Sequence, residues 1–310
     1  MYDHIKNNTL PECDTLPDSA LKEITEIYRS ALAPEGPFTQ KAQPFSLGEP
    51  AASLTQSRLA GQAPWFKNTP VPLGANGVPL IFIAQIKISD VEDVIDTPAD
   101  WEHFALQFYI EDNDLFGCDF PSRSNNADPE SEQPSNFRVI LVDTRKLNAY
   151  APPSQNESEF SIFNWKNHKT ANKSLIKEDT FNSRPSLEDA SVDSLQGQIS
   201  NIIEKHTDLQ HYQIDSMNEL EEEYYEGIEE EEDNSEHPEP VCYVGGHPDF
   251  TQSDPRHKEN GTDEHTVNLL SLGYSEDVTI GDAGCMHFLV RKDSLMAGDL
   301  SDVIYNWDCH

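Results

Sequence analysis

The chain has 310 residues, with 56 Asp and Glu against 21 Lys and Arg, for a formal net charge of −35. A surface field of that sign repels nucleic acid and anionic lipid, which argues against both as direct partners, and it speeds encounter with a basic protein. No apolar stretch reaches the roughly 18 residues that a bilayer span needs.

The 36% hydrophobic content and 21 prolines predict a compact core that shares the chain with polar insertions. The opening Met-Tyr-Asp-His-Ile-Lys-Asn-Asn lacks the charged-then-apolar layout of a signal peptide. Five scattered cysteines, with no Cys-x-x-Cys pair, read as reduced thiols in a cytoplasmic protein.

In chain order, Asp18 or Ser19 caps a predicted helix carrying Leu21, Ile24, Ile27, Tyr28, Ala31 and Leu32 at helical spacing, and Pro34 stops it. A Pro-rich connection of low periodicity follows, so that residues 1–55 read as helix plus connection. Residues 56–146 hold three predicted strands: Pro79–Ile86, Phe104–Ile110 and Phe137–Val142. Residues 147–237 form a polar insertion with one amphipathic helix marked by Val192, Leu195, Ile199, Ile202 and Ile203. Residues 238–310 bring strands at Val241–Val244, Thr266–Leu272 and Cys285–Val290. A displacement of 180 residues lays Phe104–Phe120 on Gly284–Leu300, placing Phe108 on Phe288, Ile110 on Val290 and Asp119 on Asp299. The expectation is an α+β fold with antiparallel sheets in two similar halves related by duplication, an N-terminal helix and an acidic insertion. Chance matching of apolar runs is the competing reading.

Three segments carry a family resemblance. They are Ser57-Arg-Leu-Ala-Gly61 ahead of Pro79-Leu-Ile-Phe-Ile-Ala-Gln85; Val244-Gly-Gly-His-Pro-Asp249; and Gly281-Asp-Ala-Gly284 with Met286-His-Phe-Leu-Val290 and Asp299-Leu-Ser-Asp-Val-Ile304. In that order they resemble the YwqG-like family of bacterial proteins, over roughly 55–120 and 240–310. Gly61-Gln-Ala-Pro64 departs from the family's usual second glycine. The resemblance implies an α+β fold with antiparallel sheets, no established chemistry, and toxin immunity as one role. Independently of it, Gly61, Gly245, Gly246, Pro248, Gly281, Asp282 and Gly284 read as structural turn residues, the glycines taking positive φ or allowing close backbone approach.

Motifs for catalysis are scarce. There is no Gly-x-Ser-x-Gly elbow and no phosphate-binding Gly-rich loop. His247, Asp249, Asp254, His257 and His265 make the densest His/acid cluster, but their irregular spacing reads as polar turn rather than metal site. Asp112–Gly117 resembles a calcium loop and fails at Phe116 and Arg123. Cys285 and His287 share one strand face about 7 Å apart, a spacing compatible with a thiolate and its base or with two buried core residues.

In the run 219–233, ten of fifteen residues are acidic, and removing it still leaves −25 (−35 plus 10). Such runs are solvated loops or, with embedded aromatics, recognition segments that imitate phosphates or steer a basic partner. Tyr224, Tyr225, Glu221, Glu222, Glu229 and Glu230 are the predicted contacts. The reading is a non-catalytic protein-binding protein that occludes a basic or nucleotide-using partner, a cognate toxin by the resemblance, with no cofactor and no metal. The alternatives are an enzyme with a small-molecule site between the halves, using His247, Asp249, Asp282 and His287, and a structural scaffold component.

Overall fold

A computed structural model of the chain describes residues 18–31, 33, 36–74, 77–118, 136–151, 161–185, 189, 193–206, 240–256 and 261–310. These fall into two compact units. The first comprises helices α1 (Asp18–Ala31) and α2 (Asp193–His206), which pack on each other. Ala20 and Ile24 on one, and Leu195, Ile199 and Ile202 on the other, are buried at the spacing of one apolar stripe.

The second unit is the sheet. Its strands are β1 (Gln40–Leu47), β2 (Arg58–Leu59), β4 (Ile81–Lys87), β5 (Phe104–Ile110), β6 (Phe137–Asp143), β8 (Lys173–Lys177), β9 (Phe181–Ser183), β10 (Cys242–Gly245), β11 (Val267–Leu272), β12 (Cys285–Val290) and β13 (Ile304–Asp308). They run in the order β13-β12-β11-β10-β1-β8-β2-β4-β5-β6, with β9 also on β1, and the pairings are antiparallel. A separate pair joins β3 (Pro64–Trp65) to β7 (Ala149–Tyr150). Helix α3 (Lys292–Ala297) is short and ends at Gly298 in the left-handed conformation.

The sheet is nearly closed into a barrel. Phe137 on β6 lies 5.4 Å from Tyr305 on β13 between ring centroids, and Phe108 on β5 lies 5.0 Å from Phe288 on β12. Burial of these rings with Ile83, Ile86, Leu270, Met286 and Val290 drives the curl, because strands along the whole order from β13 to β6 contribute apolar residues to a shared interior.

This topology corrects the expected α+β fold of two similar halves with separate antiparallel sheets. Strands of both expected halves belong to one sheet, and β1 and β8 lie between them. Three α-helices are found among the described residues, none longer than 14 residues, so the fold is mostly β. The matched residues Phe108 and Phe288 meet inside one core instead of anchoring two. β1 was concealed because Pro44 interrupts it and its buried residues include Gln43, so no apolar alternation marks it. No helix among the described residues is long and apolar enough to cross a membrane.

Candidate functional site

On β12, alternation sends Met286, Phe288 and Val290 into the core and leaves Cys285 and His287 on the opposite face. Register then assembles their neighbours. Ser271 on β11 and Asn306 on β13 both pair with His287, and Asp308 pairs with Cys285. Residues directly opposite share a face, so five polar side chains from three strands collect together.

The contacts are close. The Cys285 Sγ lies 3.1 Å from His287 Nε2, with Asp308 Oδ1 at 3.1 Å and the Asp249 carbonyl at 3.0 Å as acceptors for its single proton. That carbonyl also lies 2.9 Å from Nε2. On the far side of the ring, Nδ1 is 2.8 Å from Ser271 Oγ, which accepts from Asn268 Nδ2 at 2.8 Å. The loop after β10 covers the cluster: Phe250 stacks edge-on over His287 at 4.7 Å, and the amides of Thr251 and Gln252 donate to the Asp308 carboxylate at 3.2 Å each.

Burial pushes the Cys285 thiol well above its ordinary range, against a hydrogen bond from Thr251 that favours the thiolate, and the nearby Asp308 charge raises it further. Burial also pulls His287 down to about 4, with the Asp308 charge and the Asp249 carbonyl opposing and Arg256 adding to the shift. At neutral pH the pair is a thiol beside a neutral imidazole, whereas nucleophilic cysteine chemistry needs the thiolate. Asp308 bonds the thiol and two amides and does not orient the imidazole, so the geometry is not that of a catalytic triad.

The cluster is also incompletely satisfied. Asn306 is buried, and neither atom of its amide has a hydrogen-bond partner among the described residues; the same holds for Asn268 Oδ1. Each such group costs about 1–3 kcal/mol, so a native protein rarely leaves one without a bonding guest.

A second network lies on the same loop and is complete. Arg256 forms a fork on Asp254 (2.8 and 2.6 Å) and reaches Asp189 at 2.9 Å, all three residues being buried. Burial opposes the Arg256 charge, but the hydrogen bond to Asp254 and the Asp189 and Asp254 charges outweigh it and hold the pKa up. His247 faces Asp189 Oδ2 at 3.2 Å through Nδ1 and the Phe38 carbonyl at 2.6 Å through Nε2.

The sequence-derived His/acid cluster is therefore divided. His247 and Asp254 meet through Asp189 and Arg256, while His265 bonds the Asp302 carbonyl at 2.9 Å, beside the Arg291–Asp302 ion pair. Asp249 serves the Cys285 cluster through its backbone, and His257 lies outside the described residues. The calcium-like loop closes on itself, with Asn113 Oδ1 accepting from Leu115 and Gly117 amides and Phe116 packed on Trp307 at 4.8 Å.

Among the turn residues, Gly246 has φ 63° and a Cβ there would meet Ala42 and Ser183 Cβ at 2.8 Å. Gly284 needs its missing side chain for close approach: a Cβ would sit 2.1 Å from the Asp308 carbonyl oxygen. Gly61, Gly245 and Gly281 adopt positive φ, Pro248 is buried, and Asp282 is exposed with its carbonyl accepting from His310. Tyr224, Tyr225, Glu221, Glu222, Glu229 and Glu230 lie outside the described residues. Sequence reasoning missed Asp308, Ser271, Asn268 and Asn306. A signal for them existed only in the β11–β12–β13 register, which the spacing of Cys285 and His287 does not reveal.

Among known proteins, no curated protein matches the chain. A family described as a domain of unknown function, DUF1963, matches residues 57–309, from the serine that precedes β2 to the cysteine that follows β13. That span contains the whole sheet except β1, together with every residue of the Cys285 cluster and with Asp189, His247, Asp254 and Arg256. The chain belongs to the DUF1963 family.

Proposed function

We propose that this chain is a non-catalytic, cytoplasmic protein-binding protein that occludes a basic or nucleotide-using protein. In the narrower, YwqG-like placement of the sequence, that protein is a cognate antibacterial toxin. The observation that carries the reading is the charge of −35, which persists at −25 (−35 plus 10) without the 219–233 run. An acidic surface of this strength accelerates encounter with a cationic partner and disfavours anionic ones. In the metal-free chain burial holds Cys285 as a thiol beside a neutral imidazole, which speaks against an unassisted cysteine nucleophile there. The enzyme reading would use His247, Asp249, Asp282 and His287; the His247 ring is tied to Asp189 and the Phe38 carbonyl, and the His287 ring to Ser271 and the Asp249 carbonyl, in two separate networks.

The test is capture of a partner by the tagged full chain from its own cells, then association kinetics with the purified partner. Association should slow markedly from low to physiological salt while dissociation changes less. Salt-independent association, or no stoichiometric partner, overturns the reading.

A further inference from the structure

We infer that Cys285, His287 and Asp308 bind a borderline divalent cation of the zinc class, with the Asp249 carbonyl as fourth donor and Ser271 fixing the imidazole from behind. This goes beyond the protein-binding role and stands or falls separately from it.

The donor set is the first support. Sγ of Cys285, a ring nitrogen of His287 and a carboxylate oxygen of Asp308 all lie within 4.8 Å of one another, with Nε2 the nitrogen that faces Sγ. A thiolate with an imidazole selects zinc-like ions over magnesium or calcium, which prefer all-oxygen sites. The Asp249 carbonyl, 2.9 Å from Nε2 and 3.0 Å from Sγ, brings a fourth donor from the covering loop beside those from β12 and β13. Tetrahedral bonding to zinc places sulfur and nitrogen about 3.6 Å apart. The observed 3.1 Å requires an opening of about half an ångström, which the half-buried Cys285 can supply by a small side-chain rotation.

The second support is the shell behind the donors. Zinc on Nε2 requires the proton on Nδ1, and Ser271 Oγ is placed at 2.8 Å to accept it, itself held by Asn268. Gln252 and Thr251 amides fix the Asp308 carboxylate in the same way.

The third is independent of the donors. Asn306, buried beside His287 in the β12–β13 register, has neither amide atom bonded among the described residues. A buried amide of this kind is suited to bond a ligand atom of an ion or a water on it.

Loading is balanced as a proton exchange. The ion binds the Cys285 sulfur as thiolate, one proton passes to solvent, and the imidazole proton moves from Nε2 to Nδ1; no redox change occurs.

The experiment uses the full chain, stripped with chelator and titrated with Zn2+ by calorimetry and with Co2+ by absorption. The expected result is one equivalent bound, with release of one proton. Cobalt should show a thiolate-to-metal charge-transfer band and the visible bands of tetrahedral coordination. Cys285→Ser should abolish the charge-transfer band, and Ser271→Ala should weaken zinc binding 10- to 100-fold. Cys309→Ser should change neither. Zinc should also protect Cys285 from alkylation in the wild-type chain, read by peptide mass mapping, which needs no variant to fold. Absence of binding, an octahedral cobalt spectrum, or undiminished binding in Cys285→Ser overturns the inference.

Discussion

Two polar clusters touch the Phe250 ring, Arg256 from 5.6 Å and His287 from 4.7 Å, and they differ in how far the protein completes them. The Asp189–Arg256–Asp254 network is charged and reciprocally bonded, with each carboxylate facing the guanidinium. The Cys285–His287–Asp308 cluster holds a thiol and a neutral imidazole, beside an asparagine with no bonded amide atom among the described residues. Both are buried in the same sheet unit, so burial alone does not distinguish structure from site. Completion does: a satisfied network fixes the covering loop, and an unsatisfied one leaves donors for a guest.

The largest effect should come from breaking the complete network. Arg256→Met leaves Asp189 and Asp254 buried without their cation and should lower unfolding free energy by about 3–5 kcal/mol in denaturant titration. A loss under about 1 kcal/mol would mean the network is not what holds the loop.

Next, Gly284→Val places a branched side chain against the Asp308 carbonyl and must spread β12 from β13. It should cost about 3 kcal/mol, at the upper end for overpacking. Gly246→Val should also destabilise, since a β-branched residue resists its positive φ. An unchanged melting temperature in both would remove the structural role of these turns.

The pH dependence sharpens the other side. His287 falls from its ordinary 6.5 to about 4 in the fold, so between these values the unfolded chain binds more protons than the folded one. The stability it contributes is fully present above pH 6.5 and is lost as pH falls toward 4, on the order of 3 kcal/mol. Chelator-treated wild type should show this slope, and His287→Gln should flatten it. Equal slopes in the two proteins would contradict a neutral buried imidazole.

Smaller again is the expected loss at the acidic segment. Replacing Tyr224 and Tyr225 by Ala should weaken partner binding by about 2 kcal/mol each, and deletion of 216–236 should do so without lowering the melting temperature. Undiminished binding by the deletion would move recognition onto the sheet surface.

Much of the sheet was legible because its strands are apolar runs of strand length. Phe104–Ile110 was read with the bounds β5 has, and Cys285–Val290 with those of β12. β1 and β8 were not legible, since Pro44, buried Gln43 and the flanking lysines of Lys173–Lys177 give no alternation; with them hidden, one continuous sheet looked like two. The site was half legible. Cys285 and His287 announce themselves by spacing, but Asp308 and Asn306 join them only through hairpin register, and Asp189 meets Arg256 from 67 positions away (256 − 189). Pairing between distant segments depends on the closed sheet, and local sequence does not encode it.

The most direct measurement is anomalous scattering at the zinc absorption edge from crystals of the full chain grown with one equivalent of zinc. The account predicts a single strong peak about 2.0–2.3 Å from Cys285 Sγ, His287 Nε2 and Asp308 Oδ1, with Asn306 bonded to a group on the ion. A cluster without that peak, with Sγ and Nε2 still at hydrogen-bond distance and Asn306 bonded to protein, would contradict it.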